Sequence, residues 1–260
     1  MTRVIIRFEP MPKFFTFLFF IFICFDLKAQ TWELGGSLGG AGYMGELNLN
    51  NPLKVSGFSI GGFVQRNFDG YFSAKIGANF ATISGNDSNS SYPQVRSQGL
   101  NFTTTLYEAS IMGEFNFLYY VPEAGKNKFT PYIFLGAAAA SYYPSTVFGG
   151  KTYDLRGYET EGEKKPYPTT TYSIPYGAGV KYNILGKWTL AADLGYRNTN
   201  TGYLDDVSGF YSSNPSFPKL SNPSGSPAGS QRGSLNTNDT YFFIQFSLSY
   251  TFVTEKCYFH

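Results

Sequence analysis

The feature that most constrains this chain is a strand-like alternation of side chains, repeated along most of its length. In the final stretch one face carries Phe242, Ile244, Phe246, Leu248, Tyr250 and Phe252, and the other carries Phe243, Gln245, Ser247 and Ser249. A period of two indicates a β-strand with two unlike faces. The pattern predicts eight strands, at approximately residues 32–43, 57–67, 71–85, 100–118, 129–143, 171–183, 188–200 and 239–252.

Strands of this length and number predict a closed barrel. Lipid offers no partner to a backbone amide, so membrane-spanning strands must pair all round. We therefore expect an all-β fold, an eight-stranded antiparallel transmembrane β-barrel of the outer-membrane type. An aromatic content of 19% with 29 glycines suits it, because each strand is half apolar and small residues fill a narrow lumen. Composition alone also allows a soluble β-sandwich.

The first residues are predicted to be a secretory signal peptide, residues 1–29. Its basic and apolar parts are Arg3, Arg7 and Lys13, followed by the run Phe14–Phe25. Such a run is short for a membrane span and typical of a signal. A lipoprotein signal that uses Cys24 is the alternative, and the bulky Ile23 before that cysteine disfavours it. Residues 30–260 are then expected to form a single barrel domain.

The charge balance of the mature chain excludes a nucleic-acid surface. The chain has 20 basic and 18 acidic residues. Four of the basic and two of the acidic residues lie in the predicted signal, so the rest is formally neutral. Nucleic-acid binding requires clustered Lys and Arg, which are missing.

The connections between the predicted strands alternate in length. Residues 67–70 and 184–187 are tight turns and 119–128 is compact, whereas 86–99, 144–170 and 201–238 are long and polar. Bacterial barrels have short periplasmic turns and long external loops. The alternation therefore predicts that the protein lies in the outer membrane with both termini in the periplasm. The loop at about 202–238, rich in Pro and Ser over 212–230, is expected to be flexible.

Charged residues on the inward faces are predicted to fill the lumen. They are Lys75, Glu108, Glu114, Lys181, Asp193 and Arg197. Both signs are present, as buried charges require if they are to be paired. An eight-stranded barrel has room for side chains and little else, so we expect a structural plug rather than a conducting path. The fifth strand, with Ala137–Ala140 at its centre, does not reveal which face points inward.

Aromatic residues near the strand ends are predicted to form interfacial girdles. They are Trp32, Tyr119, Tyr120, Tyr142, Tyr143 and Trp188.

The residues argue against an enzyme. The one histidine, His260, is the last residue, and it is a poor candidate for the base of a hydrolase or for a zinc ligand. The loop carboxylates Glu159, Glu161, Glu163, Asp205 and Asp206 have no EF-hand spacing, so we interpret them as solvated charge rather than a calcium site. No cofactor, metal or small-molecule substrate is expected.

One loop motif is predicted to hold the last long loop over the barrel mouth. It consists of Tyr203, Asp205, Asp206, Gln231 and Arg232. The two acids and the arginine flank the loop and are expected to pair across its base. An exposed pair contributes about 0 to 1 kcal/mol, and a shielded pair contributes more.

Ten short segments carry a family resemblance. In order they are Trp32–Gly36, Tyr43–Asn48, Ile83–Asp87, Leu106–Glu108, Phe129–Tyr132, Tyr153–Leu155, Thr160–Gly162, Ser173–Pro175, Tyr203–Gly209 and Gln231–Gly233. Together they resemble the PorG-like outer-membrane barrels of the type IX secretion system of Bacteroidetes. The tail after Phe252 departs from the usual barrel ending, and the last long loop is longer than the resemblance leads us to expect.

The resemblance implies a non-enzymatic component of a protein-export machine that also supports gliding in some members. Its implied partners are outer-membrane lipids and the periplasmic ring formed by a lipoprotein and its partner protein, PorK and PorN. The alternative function is an eight-stranded surface adhesin or ligand-binding barrel that acts through its external loops.

Overall fold

A computed structural model describes residues 31–48, 51–90, 92–122, 127–162, 165–234 and 236–253. The predicted signal peptide, Glu163 and the tail at 254–260 lie outside the described residues. The strands are β1 (Thr31–Met44), β2 (Val55–Asn67), β3 (Phe72–Asn86), β4 (Asn101–Asn116), β5 (Phe129–Phe148), β6 (Lys151–Asp154), β7 (Thr170–Leu185), β8 (Trp188–Thr199) and β9 (Thr240–Val253). Two four-residue helices are α1 (Pro93–Arg96) and α2 (Pro218–Ser221).

Eight of these strands close into an antiparallel barrel, which confirms the predicted fold. Each strand pairs with its sequence neighbours in the ring, and β1 closes the ring against β9. In β1, Trp32 is opposite Arg66 of β2 on one side and Phe252 of β9 on the other. The backbone hydrogen bonds of the barrel strands are thereby satisfied within the ring, as a lipid environment demands. The ninth strand, β6, pairs only with the far end of β5.

The barrel has two unlike ends. Short connections join β2 to β3 and β7 to β8 at one end, which we call the turn end. The described chain also begins and ends there, at Thr31 and Val253, which are paired. The opposite end, called the loop end, carries α1, β6 and α2. Among the described residues no helix has the length and apolar character needed to cross a bilayer.

The outer face of the barrel is apolar, as the period-two pattern predicted. On seven of the eight barrel strands a large apolar residue has more than half of its surface exposed: Leu38, Ile60, Ile76, Ile111, Leu135, Ile174 and Phe246. Their neighbours one position away point inward and are buried or half-buried. A band of exposed apolar side chains around a closed sheet matches a hydrocarbon surrounding.

The structure shows which face of β5 points into the barrel, which the alanine run did not reveal in the sequence. Tyr132, Phe134, Ala138 and Tyr142 point into the barrel, and Leu135 points outward. The girdle prediction is therefore wrong for Tyr142, which is buried.

Tyr120 is also wrongly predicted as a girdle residue, since its hydroxyl lies 2.8 Å from Thr189 Oγ1 in a buried contact. Trp32, Tyr119, Tyr143 and Trp188 are exposed on the outside, as a girdle requires.

Two glycines of β1 lie where aromatic rings from the neighbouring strands pack against the backbone. On the inner face a Cβ at Gly35 would lie 2.4 Å from Phe63 Cζ, and on the outer face a Cβ at Gly42 would lie 2.2 Å from Phe242 Cζ. These contacts explain why the first strand is glycine-rich, because larger side chains there would displace the rings.

Candidate functional site: the sealed lumen and its cap

Near the turn end, the lumen holds two lysines that form ion pairs with one carboxylate. Lys75 Nζ lies 2.5 Å from Glu114 Oε1, and Lys181 Nζ lies 2.5 Å from Glu114 Oε2. Strands β3, β4 and β7 supply these side chains from their inward faces. Lys181 Nζ also lies 4.6 Å from the ring centroid of Tyr132, a cation–π distance. A buried charge of this kind is stable only because each ion has a partner.

A second ion pair lies nearer the loop end. Arg197 Nε donates to Glu108 at 3.1 Å, and the Tyr241 hydroxyl donates to the same carboxylate oxygen at 2.7 Å. The guanidinium also donates to the Gly195 carbonyl at 2.6 Å and lies 4.2 Å from the centroid of the Phe243 ring. Arg197 is 2% exposed, so the pair is desolvated and held rigidly.

Asp193 lies between the two ion pairs. It accepts a hydrogen bond from the Tyr132 hydroxyl at 3.0 Å and lines a cavity with Lys75 and Arg197. The cavity measures about 30 Å³, which is room for a few water molecules at most. The structure thus places all six predicted lumen charges inside the barrel, with packed side chains around them.

The last long loop enters the barrel mouth. Leu204 and Val207 are buried in a cluster with Tyr43, Leu106 and Phe243, which belong to the barrel wall. Thr104 of β4 donates from its hydroxyl to the Leu204 carbonyl. The loop between β8 and β9 therefore folds back and closes the lumen at the loop end. We call residues 203–208 the plug segment.

Arg232 holds the plug segment in place through hydrogen bonds and ion pairs at the loop end. Its guanidinium donates to the backbone carbonyl of Asp206, and it lies 3.4 Å from the Asp206 carboxylate and 3.1 Å from that of Glu161. Thr160 and Tyr167 donate to the Asp206 carboxylate at 2.6 and 2.7 Å. Both come from the connection between β5 and β7, so the network joins two long loops into one cap.

Burial raises the pKa of Asp206 from 3.8 to about 6, although Arg232, Thr160 and Tyr167 act in the opposite direction. Desolvation of the carboxylate is the larger effect because the side chain is almost completely buried. The cap is therefore expected to respond to protons in the mildly acidic range.

Tyr203 and Gln231 take different positions from the rest of the predicted motif. The Tyr203 ring stacks on Tyr167 with centroids 4.4 Å apart, which adds to the cap. Gln231 is exposed, pairs through its backbone with Phe210, and donates from its side chain to the Gly233 carbonyl at 3.0 Å. The structure brings Asp206 and Arg232 together, while Gln231 lies beside the network.

Asp205 belongs to an acidic cluster. The cluster consists of Glu46, Asp205 and Asp239, with one carboxylate oxygen of each within 4.8 Å of the others. The Tyr43 hydroxyl contacts Asp205 and lies 3.1 Å from Asp239. One hydroxyl proton serves one of these contacts, so the other requires a protonated carboxyl. Among the described residues, this is the group of carboxylates whose spacing could hold a metal ion.

The acidic cluster holds protons strongly. Burial raises the pKa of Asp205 and of Asp239 well above their ordinary range, and the neighbouring carboxylates raise both further. Burial also raises the pKa of Glu46. Like charges in a site that water cannot reach favour the neutral acid.

The interpretation of the loop carboxylates as solvated charge is wrong for three of them. Asp205 and Asp206 are each 1% exposed, and the Glu161 side chain is 4% exposed. Glu159 is exposed, as expected. The stretch 212–230, which was expected to be flexible, contains the helix α2, and Leu220 of this helix is buried under the cap.

Sequence reasoning missed Glu46, Thr160, Tyr167 and Asp239. Glu46, Thr160 and Tyr167 lie in polar connections without periodicity, and Asp239 stands at the margin of the last predicted strand, so no local pattern assigned them an inward position. The available signal was that Glu46 and Thr160 belong to segments already singled out for their resemblance.

Residues 12–260 match the profile of a family described as "Domain of unknown function (DUF6089)". No curated protein sequence matches the chain. Among solved structures, OprG from Pseudomonas aeruginosa has a TM-score of 0.43 and 10% identity, covering 86% of this chain and 96% of that chain.

Two further structures give similar values. Ail, the attachment invasion locus protein of Yersinia pestis, in complex with the heparin analogue sucrose octasulfate, has a TM-score of 0.41 and 11% identity, covering 87% of this chain and 100% of that chain. A major outer membrane protein from Thermus thermophilus has a TM-score of 0.44 and 12% identity, covering 86% of this chain and 100% of that chain. These proteins resemble this chain in general barrel architecture, and no function is transferred from them.

Proposed function

The chain belongs to the DUF6089 family, and from that premise and its barrel fold we propose that it is a non-enzymatic outer-membrane component of type IX protein secretion. In this role the barrel anchors or adapts the periplasmic ring complex. The turn end faces the periplasm with both termini, and the cap faces outward. Its partners are membrane lipids and ring proteins of the PorK and PorN kind.

The observation that carries the proposal is the convergence of the resembling segments. Tyr43–Asn48, Thr160–Gly162, Tyr203–Gly209 and Gln231–Gly233 are far apart in the chain, yet they meet in the cap and its acidic cluster. Residues that share one folded element support the resemblance better than scattered short matches do.

The filled lumen supports an anchoring role over a transport role. Among the described residues, paired ions occupy the lumen, and the cavity of about 30 Å³ between them is too small for a solute larger than a few water molecules. A barrel of this kind acts through its surfaces. At the turn end Phe68, Tyr71 and Leu118 are each at least 40% exposed, which offers a contact surface beyond the lipid band.

Site-specific photo-crosslinking in the native membrane tests the proposal. A photoreactive side chain at Phe68 or Leu118 is expected to capture a ring-forming lipoprotein or its partner. The matched position is Phe210, 47% exposed at the loop end, which is expected to capture neither. Recovery of the barrel in mild detergent without any ring protein, together with no crosslink from the turn end, contradicts the proposal.

The second candidate is a surface adhesin or ligand-binding barrel. The folded cap favours it, since aromatic residues are exposed at the loop end, such as Tyr92 just before α1 and Phe148 at the end of β5. Trimming 213–228 removes the outer cap and spares the plug segment. Loss of surface binding with intact protein secretion would select this candidate.

A further inference from the structure

A cavity of about 110 Å³ lies at the loop end, between the ends of β4 and β5 and the helix α2. Much of its wall is apolar and includes the buried side chains of Leu100, Leu155, Val207 and Leu220. For scale, an engineered apolar cavity of about 150 Å³ in another protein binds benzene. The space is thus of the size that holds one small ring or a short acyl chain.

The polar part of the same wall presents donors. Arg232 lines the cavity, and within the described part of the chain its Nε has no hydrogen-bond partner although the residue is 4% exposed. A buried donor without an acceptor is uncommon and calls for a group that satisfies it. Two nitrogens of the same guanidinium are occupied by Asp206 and Glu161, so Nε is the one without an acceptor among the described residues.

A second cation stands at the edge of the cavity. Lys219 lines it and is exposed, whereas Leu220, the next residue of α2, is buried in the wall. The short helix therefore sets an ammonium group at the rim and an apolar side chain within. Asp205 also lines the cavity, and burial with the nearby Asp239 and Glu46 raises its pKa, which favours the uncharged acid.

We propose that this cavity is a binding site for a small amphipathic anion, an aromatic ring or short acyl chain that bears one carboxylate. The apolar body lies against Leu155 and Leu220, and the carboxylate lies toward Arg232 and Lys219. This site is independent of the anchoring role, and it departs from the expectation that no small molecule is bound.

The binding test uses the protein purified from the outer membrane in detergent, with 4-fluorobenzoate as the probe and fluorine NMR as the readout. Saturable broadening of the probe signal is expected. The neutral probe 4-fluorobenzyl alcohol has the same ring without the charge, and its affinity is expected to be at least about tenfold lower. A response that does not saturate, as from a cavity that holds only water, overturns the proposal, and so does equal affinity for the two probes.

Two variants locate the site. Leu220→Trp places an indole in the cavity and is expected to abolish binding, whereas Leu53→Trp adds the same group at an exposed leucine and is expected to leave binding unchanged. Lys219→Gln keeps the wall intact and is expected to weaken 4-fluorobenzoate about tenfold. The control Lys151→Gln changes an exposed lysine of β6 without effect.

If the indole of Leu220→Trp disturbs the cap, the exposed substitution Lys219→Gln still tests the proposal. Unchanged affinity in Lys219→Gln overturns the assignment of the carboxylate end. Unchanged affinity in a folded Leu220→Trp variant overturns the assignment of the cavity.

Discussion

Lys181 and Glu114, 67 residues apart in sequence, bring an ammonium and a carboxylate to 2.5 Å inside the barrel. Lys75 reaches the other oxygen of the same carboxylate at the same distance. One carboxylate is thus shared by two cations from two other strands, and Asp193 lines the adjoining cavity with Lys75. The barrel wall is consequently tied together across its lumen as well as around its circumference.

Removal of the shared carboxylate is expected to be costly. Glu114→Gln leaves two buried ammonium groups without their partner, and loss of one member of a buried ion pair costs about 3 to 5 kcal/mol. Urea unfolding in lipid vesicles measures the change. Glu159→Gln, at an exposed glutamate, is expected to change stability by less than about 0.5 kcal/mol. Equal stabilities of the two variants would contradict the account of the lumen.

Arg232 is expected to hold the cap closed. Arg232→Met keeps most of the side-chain volume and removes the donors to Asp206 and Glu161, which leaves both carboxylates buried without their cation. We expect cleavage by added protease within 213–228 to accelerate while the barrel stays protected. Arg96→Met, at an exposed arginine, serves as the control. Equal cleavage rates in the two variants would show that the network does not hold the loop.

The cap is expected to become more stable as the pH falls from about 6 to about 4. The folded pKa of Asp206 is about 6, above its ordinary value of 3.8, so the folded state retains a proton that the unfolded state releases. Stability therefore falls as pH rises through this window, by roughly 3 kcal/mol in total. Hydrogen exchange of the Leu204 and Val207 amides, corrected for intrinsic rates, measures it.

Asp206→Asn is the matched variant for that pH dependence. An amide does not titrate, so the slope between about pH 4 and 6 is expected to flatten. A slope of the opposite sign in the unmodified protein, with greater protection at higher pH, would contradict the assignment of a raised pKa to the buried acid.

The proposed orientation predicts which end reagents reach from outside the cell. In a Cys257→Ser background, Ser224→Cys lies at the exposed loop end and is expected to react with a membrane-impermeant maleimide on intact cells. Leu185→Cys, 75% exposed at the turn end, is expected to react only after the outer membrane is opened. The reverse result would invert the orientation.

The barrel itself was predictable because its strands have two unlike faces. Lys75 and Ile76 differ so strongly in polarity that the alternation assigns both faces of β3 from sequence. The same logic fails at Ala137–Ala140, where neighbouring side chains are equal and only pairing with β4 and β7 fixes the face.

The cap was not predictable from local pattern. Leu204, Val207 and Leu220 are single apolar residues in a segment whose composition is typical of a flexible loop. Their burial depends on tertiary contacts with Tyr43, Phe243 and other wall residues. The pairing of Asp206 with Arg232 was expected, but the participation of Thr160, Tyr167 and Glu161 required the path of another loop.

Paired ions and a folded plug seal the lumen within the described residues, and the proposed anchoring role depends on this seal. Single-channel recording of the purified protein in planar bilayers tests this most directly, with insertion verified by vesicle flotation and protease resistance of the barrel. We predict that the inserted protein gives no stable current steps. Reproducible steps from the unmodified protein would contradict the sealed lumen and the anchoring role built on it.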